Sequence, residues 1–160
     1  MSVELLDRPH SRALSRDLSR MLVVNTLWSH QEAGAIALEP FTETRLGLFP
    51  RSGVRARLIR LASFEGIGRH LIAGIARDRR ARTPGVEISR LLWTLYGNGK
   101  PDAESLVHRQ AMESGVELGS GEIERWEWLR ETQPRLHGQV AGAVEQVFDD
   151  IADDQIRPAQ

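Results

Sequence analysis

The sequence predicts a mainly helical α+β protein with a small antiparallel β-sheet. Apolar residues recur at helical spacing over most of the chain, and most regularly between Leu136 and Ile151. Between residues 35 and 60 the pattern changes, and Val54–Arg60 alternates apolar and charged residues, which is typical of a half-buried strand. A chain of 160 residues is long enough to bury one core. We therefore expect one compact domain over residues 1–160, with a helix and a β-hairpin in 1–62 and helices in 63–160.

The first helix is expected from about residue 11 to residue 33. Gly34 is a suitable residue to end it, because glycine adopts the left-handed conformation that often follows a helix. Leu18 and Trp28 fall on one side of this helix, whereas Val23 projects the other way. A helix that is apolar on two sides is either central in the fold or shared with a partner chain.

The expected sheet follows this helix. Residues 35–41 and 44–49 have the composition of short strands, and residues 50–53 are expected to form a turn before the strand at 54–60. Alternation along that region places several arginines on one exposed strand face. They are Arg51, Arg55 and Arg57.

Helices are expected over the rest of the chain. Ser63 is a suitable N-cap for the first of them, and Thr83-Pro84 is expected to open the next one, with proline at its first position. Later helices are expected at about 101–114, 122–131 and from 134 onward, with a short extended segment at 116–118. The last helix has the clearest apolar stripe in the chain and is expected to pack into the core.

The pattern at residues 32–38 predicts a helix end, then a glycine, then a strand. The same order recurs more weakly at 113–118, without a convincing hairpin after it. With the hairpin that comes next, this order resembles the second half of a winged-helix module. The resemblance implies a degenerate winged-helix core extended by C-terminal helices. In winged-helix proteins the helix before the strand often lies in the DNA major groove, and the hairpin can contact phosphates.

Charge is distributed unevenly along the chain. The segment Arg51–Arg82 has nine arginines against two acids, a net charge of 9 − 2 = +7, whereas Pro101–Gln160 has five arginines against thirteen acids, 5 − 13 = −8. A surface of one sign attracts the opposite sign, so the arginines predict an anionic partner such as nucleic acid. The candidate anion-binding residues are Arg51, Arg55, Arg57, Arg60, Arg77, Arg79, Arg80 and Arg82.

A second interpretation of the charges stays open. The same arginines can pair with the acidic C-terminal region, either within one chain or between two copies, which predicts a homo-oligomer or a structural role. Phe64 is the only aromatic residue among the arginines, so the segment lacks the stacking residues typical of single-strand binding. We expect a non-catalytic binding protein or an accessory, regulatory subunit that acts through an arginine-rich surface.

Asp149, Asp150 and Asp153 are the basis of an enzymatic alternative. Their spacing resembles the aspartate pattern with which isoprenoid synthases hold magnesium and diphosphate, and aspartates at this helical spacing can converge on a hard cation. The resemblance implies a small enzyme of magnesium-dependent diphosphate chemistry. The run lies close to the C-terminus, and the chain is about half the length of that family, so a solvated acidic helix end is favoured.

Other classes of site lack a sequence signal. The chain has no cysteine, and its five histidines never recur at metal-ligand spacing, so no metal site is expected. Gly66-Ile67-Gly68 lacks the third glycine of a dinucleotide loop, and neither a cofactor nor a small-molecule ligand is identified. The N-terminus is unlike a secretory signal and no stretch is long enough to span a membrane, so a cytoplasmic protein is expected.

Trp128 is the candidate for a partner interface. Ile123, Trp126 and Leu129 share one face of the predicted helix, and Trp128 lies on the opposite side. Exposed tryptophan is enriched at protein interfaces. The alternative is that the last helix covers Trp128, in which case it belongs to the core.

Overall fold

Six helices and three strands make up the described part of the chain, which is residues 8–45, 47, 49–97, 102–115 and 120–156 of a computed structural model. The strands form one antiparallel sheet in the order β1-β2-β3, so the predicted α+β class is confirmed. In chain order the elements are α1 (Arg8–Glu32), β1 (Ile36–Arg45), β2 (Phe49–Leu58), α2 (Ile67–Arg77), β3 (Val86–Glu87), α3 (Ile88–Tyr96), α4 (Ala103–Met112), α5 (Ser120–Thr132) and α6 (Pro134–Ile156).

Helix α1 is the centre of the fold. It contacts β1 and four other helices, α2, α4, α5 and α6. Residues on both of its sides are buried, including Val23, Leu27 and Trp28, which confirms the prediction of a helix that is apolar on two sides. This burial excludes the position in a DNA groove that the winged-helix resemblance implies for the helix before the strand. The rest of that resemblance stays a prediction.

The hairpin differs from the predicted one. The chain reverses around Gly47, whose φ of 66° is readily adopted by glycine, and β1 and β2 are single strands of ten residues. The predicted turn at 50–53 is wrong, because these residues belong to β2 and pair with Phe41–Thr44 of β1. Composition favoured a turn there, but pairing with β1 overrides this local preference.

The third strand comes from a distant part of the chain. Val86 and Glu87 pair with Ala56 and Arg55 of β2, so the segment after Thr83-Pro84 is a strand and not the first turn of a helix. Thr83-Pro84 is a cis peptide bond within a turn, and α3 begins only at Ile88. The prediction of a helix opened by Pro84 is therefore wrong.

The start of α2 also differs from the prediction. Gly66, and not Ser63, is the N-cap residue, with a φ of 59°. A Cβ at Gly66 would lie 2.9 Å from the backbone oxygen of Gln110, so this close approach of α2 to α4 requires glycine. The contact joins residues far apart in sequence, which is why the local capping pattern did not reveal it.

The last helix packs into the core as predicted. Val140, Val144, Val147 and Ile151 are all buried, and α6 packs on α1 and α3. Buried residues of all nine described elements belong to one hydrophobic cluster, whereas the division of the chain at residue 62 stays a prediction. The expected extended segment at 116–118 lies outside the described residues. Among the described helices, none has the length and apolar character needed to cross a bilayer.

Candidate anion-binding site

The arginines of β2 lie on one face of the sheet, as their alternation predicted. We call Arg51, Arg55 and Arg57 the sheet arginines. The strands beside them contribute carboxylates, namely Glu39, Glu43 and Glu87, and each sheet arginine pairs with at least one of them. Three arginines and three glutamates sum to zero charge, so this face is locally neutral.

Two of the pairs are close and well aligned. The Arg51 guanidinium donates two hydrogen bonds to Glu87, with Nη1–Oε2 at 3.0 Å and Nη2–Oε1 at 2.5 Å. These bonds raise the pKa of Arg51 above its ordinary value. Arg57 Nε donates to Glu39 Oε1 at 2.8 Å. A fork-shaped contact of this kind is specific as well as strong, so both guanidiniums are already occupied.

Arg55 is held by a ring as well as by a carboxylate. Its guanidinium lies 3.9 Å from the centre of the Phe41 ring and donates to Glu43. The Phe41 ring lies over Gly53 on the neighbouring strand, where an added Cβ would come within 2.8 Å of the ring. Glycine therefore lets the ring lie flat on the sheet, and the ring in turn supports Arg55.

The arginines that follow α2 have different partners. We call Arg77, Arg79, Arg80 and Arg82 the turn arginines. Arg77 Nε donates to its own helix at Ala73 O, and Arg82 Nη1 donates to Ile59 O, both at 3.2 Å. A backbone carbonyl carries no net charge, so these contacts orient the guanidiniums without neutralising them. Within the described residues, the side chains of Arg79 and Arg80 have no carboxylate partner.

Asp78 is the acid nearest to this turn, and both of its carboxylate oxygens already have partners. Its Oδ1 accepts the backbone N–H of Arg80 at 2.8 Å, and its Oδ2 lies 3.6 Å from Arg90 Nε. The side chain of Asp78 is only 14% exposed, whereas that of Arg90 is 59% exposed. The segment Arg77–Arg90 has five arginines against Asp78 and Glu87, a net charge of 5 − 2 = +3.

Two concave surfaces adjoin these arginines. One, of about 550 Å³, is lined by Arg77, Arg79 and Arg90 against Asp78, a net charge of 3 − 1 = +2. The other, of about 270 Å³, is lined by Arg80, Arg90 and Arg55 against Glu43, Asp78 and Glu87, so its charges balance. Arg90 belongs to both. Arg90 lies on the polar side of α3, and no local pattern in the sequence connects it to the arginines after α2. Only the packing of α3 on α2 brings it to the turn.

Arg60 lies beside the turn arginines. It is exposed, and its guanidinium donates to the Ala33 carbonyl at the end of α1. Arg82 binds the carbonyl of the adjacent residue, Ile59. Arg60 therefore retains its full charge near Arg82 and extends the positive surface.

The acids of the C-terminal region pair mostly with arginines outside the segment Arg51–Arg82. Asp149 Oδ1 accepts from Arg20 Nη2 at 2.8 Å, and Arg20 also lies within 4.0 Å of Glu104 and Glu145. In the described residues, Arg69 and its neighbour His70 join the basic segment to residues 101–160, and both contact Glu113 at 3.0 Å. The interpretation that the basic segment pairs with the acidic region inside one chain is therefore wrong for the sheet arginines, whose partners lie in β1 and β3.

The aspartates of α6 do not form a metal-ligand set. Asp149 pairs with Arg20, and Asp150 accepts from Gln146 Nε2 at 2.9 Å. Across the part of the chain that the structure describes, no three His, Asp or Glu side chains are grouped to hold a metal ion. The geometry thus gives no support to the diphosphate-enzyme alternative based on Asp149, Asp150 and Asp153.

Trp128 is 53% exposed. The alternative that α6 covers it is therefore wrong. The guanidinium of Arg125 lies 5.9 Å from the centre of the Trp128 ring and pairs with Glu32 of α1. Its use as a partner interface stays a prediction.

Two buried histidines were not singled out in the sequence. His30 Nε2 donates to Gly68 O at 3.0 Å, and burial lowers its pKa to about 4. His137 packs against Trp126 with ring centres 4.3 Å apart, and burial, followed by the charge of Arg130, lowers its pKa. Both rings are neutral at pH 7 and belong to the core.

The turn arginines and Arg90 together can bind anions. Guanidinium groups donate several hydrogen bonds in a planar fork, which suits phosphate oxygens. No protein-family model, no curated protein and no solved structure matches this chain. Its function is therefore inferred from the site alone.

Proposed function

We propose that the protein is a cytoplasmic, non-catalytic binding protein, in the role of an accessory or regulatory subunit, that holds the phosphates of a nucleic acid. The turn arginines and Arg90 make the contacts. The observation that carries the proposal is the difference in partners: carboxylates neutralise the sheet arginines, whereas Arg77 and Arg82 bind carbonyls and keep their charge. An exposed cluster with a net charge of +3 attracts a polyanion.

The lining of the site favours a duplex over a single strand. None of the residues that line the two concave surfaces is aromatic, so bases cannot stack there as they do on single-strand binding proteins. Guanidinium contacts to phosphate position a protein on a duplex without reading its sequence. Binding is therefore expected to depend on salt and to be nearly independent of base sequence.

The test is the salt dependence of binding to a labelled duplex DNA, followed by fluorescence anisotropy between about 50 and 200 mM salt. The slope of log K against log salt is about −0.9 for each phosphate contact. The triple variant R79Q/R80Q/R82Q should therefore have a slope shallower by about 2.7, because three contacts are lost. Glutamine keeps most of the side-chain length, so the fold should not change.

The matched control is R109Q/R130Q/R135Q. It removes three exposed arginines and the same formal charge from α4, α5 and α6. The control variant should bind duplex DNA with a slope close to that of the original protein. Equal slopes for both triple variants would refute the proposed site, and so would a tenfold preference for one base sequence.

A second candidate is self-association through charge. Asp150, Asp153 and Asp154 are exposed on α6, and they offer a second copy an acidic surface for its turn arginines. Light scattering at low salt tests this candidate. The variant D150N/D153N/D154N should dissociate an oligomer of this kind while leaving DNA binding intact, whereas R79Q/R80Q/R82Q should weaken both.

A further inference from the structure

A groove separate from the turn arginines runs between β2, α3 and α6. It has a volume of about 440 Å³, which lies in the range of small-molecule sites. Its lining combines aromatic side chains, helix glycines and two carboxylates. We call it the α6 groove, and the residues that define it are Phe41, Trp93, Gly138, Gly142 and Asp150.

The aromatic wall is held in place by glycines. A Cβ at Gly53 would lie 2.8 Å from Phe41 Cε1, and a Cβ at Gly97 would lie 2.4 Å from Trp93 Cε3. Each ring thus occupies the space that a side chain on its neighbour would take. The Arg55 guanidinium already covers the Phe41 ring at 3.9 Å, so Trp93 is the ring on which a ligand stacks. The Trp93 ring is already ordered, so the ligand does not have to order it.

The opposite wall is open helix backbone. Gly138 and Gly142 lie one turn apart on α6, and a Cβ added at either would meet no atom within 4 Å. Glycine is less favourable than alanine in a helix interior, and no neighbour in the described chain requires it at these two positions. The missing side chains leave room for a flat ring between α6 and Trp93.

The charges in the groove favour a cation. Asp150 is exposed, and Gln146 donates to it, but no cation of the described chain pairs with it. Arg51, at the other end, is paired with both Glu87 and Glu43. The lining contains one arginine against Glu87 and Asp150, a net charge of 1 − 2 = −1.

We propose that the α6 groove binds a flat aromatic ligand that carries a positive charge, of the arylalkylamine class. The ring lies between Trp93 and the glycines of α6, and the ammonium group faces the Asp150 carboxylate. An ammonium also gains from the face of an aromatic ring. This site is independent of the proposed nucleic-acid contacts, since none of the turn arginines lines it.

The test uses three probes with the same indole ring and different charge: tryptamine, which is cationic, tryptophol, which is neutral, and indole-3-acetate, which is anionic. Binding is measured by calorimetry and by the shift of the Trp93 indole NMR signal. Tryptamine should bind most tightly and indole-3-acetate least. In D150N the preference for tryptamine over tryptophol should fall by about two- to fivefold, the ratio for a partly exposed charge contact.

Filling the groove gives the second arm of the test. Gly142→Leu places a side chain in open space on α6, so the helix should remain folded while tryptamine binding is lost by at least tenfold. Gly121→Leu is the matched control, because it is an exposed helix glycine of α5 with equally open surroundings. Tryptamine binding that survives in G142L, or tighter binding of indole-3-acetate than of tryptamine, would overturn the proposal.

Discussion

The sheet face and the turn after α2 contain similar numbers of arginines, but they differ in charge. On the sheet, three arginines meet three glutamates and the face is neutral. After α2, the arginines meet carbonyl oxygens or have no carboxylate partner within the described residues. Counting arginines along the sequence therefore overestimates the positive surface of the first region and describes that of the second correctly.

Backbone geometry explains the difference. In an antiparallel pair, side chains on the same face of neighbouring strands lie within reach of each other. The register places Glu43 directly opposite Arg51, whereas Arg55 and Arg57 reach Glu43 and Glu39 diagonally across the sheet. In a tight turn, successive side chains point in different directions. There Glu43 and Glu87 are already paired with sheet arginines, and Asp78 uses one oxygen to accept a backbone N–H. One carboxylate cannot balance four guanidiniums.

Arg20 provides a third environment, in which an arginine is buried. Its side chain is 7% exposed and lies near three acids of α4 and α6. It also packs on the Phe148 ring, with its guanidinium 5.8 Å from the ring centre. The three environments predict three different responses to loss of the arginine.

The largest effect is expected from Arg20→Met, which keeps the apolar stem and removes the charge. The carboxylates left behind are 23% to 65% exposed and water can solvate them. The loss is therefore that of a charge-assisted hydrogen bond, and the free energy of unfolding should fall by about 1.5 to 3 kcal/mol. Urea denaturation measures it. Arg125→Met, at a more exposed pair with Glu32, is the control, and its loss should stay below about 1 kcal/mol. Equal losses in the two variants would show that burial does not distinguish these arginines.

The folded protein should lose stability at low pH, so the two arginine regions are best compared near neutral pH. His30 has a pKa of about 4 in the folded chain, below its ordinary value of 6.5, so the unfolded chain binds the proton more readily. Its contribution to stability is complete above pH 6.5 and is lost as the pH falls toward 4. Between pH 7 and pH 5 the free energy of unfolding should fall by about 2 kcal/mol, measured by urea titration. His137, whose pKa is also lowered, acts in the same direction, so an unchanged stability would contradict the burial of both rings.

The neutral face should become positive when its carboxylates are removed. In E39Q/E43Q/E87Q the sheet arginines lose their counter-charges, and the salt slope of DNA binding should steepen by up to about 2.7. Arg55 and Arg80 line the same concave surface, so the new charges add to the existing site. Stability should fall by about 1 to 2 kcal/mol, because each exposed pair contributes little. An unchanged slope would mean that the sheet face does not reach the DNA.

The smallest effect is expected from R51Q/R55Q/R57Q. It removes the same formal charge as R79Q/R80Q/R82Q, but these guanidiniums are already neutralised by glutamates. The three glutamates left unpaired repel phosphate, so affinity should fall, but no phosphate contact is lost and the salt slope should stay close to that of the original protein. If this variant and R79Q/R80Q/R82Q flatten the slope equally, then carboxylate pairing does not decide which arginines bind.

Sequence patterns that span only a few residues were enough to predict much of the fold. Helical spacing located α1 and α6 and showed that both bury apolar stripes, and Gly34 ended α1 with a φ of 76° as expected. Alternation placed the sheet arginines on one face. These features depend on local periodicity and on glycine conformation, which neighbouring residues determine.

Contacts between distant residues decided the rest. β3 adds to β2 from about 30 residues away, Gly66 is required by the approach of Gln110, and Arg90 reaches the turn only because α3 packs on α2. Neutralisation of an arginine also depends on contacts between distant residues, since Arg51 and Glu87 are 36 residues apart in sequence. Composition determined that the middle of the chain is rich in arginine, but only the tertiary structure decided which arginines keep their charge, because neutralisation depends on which carboxylates the fold brings within reach.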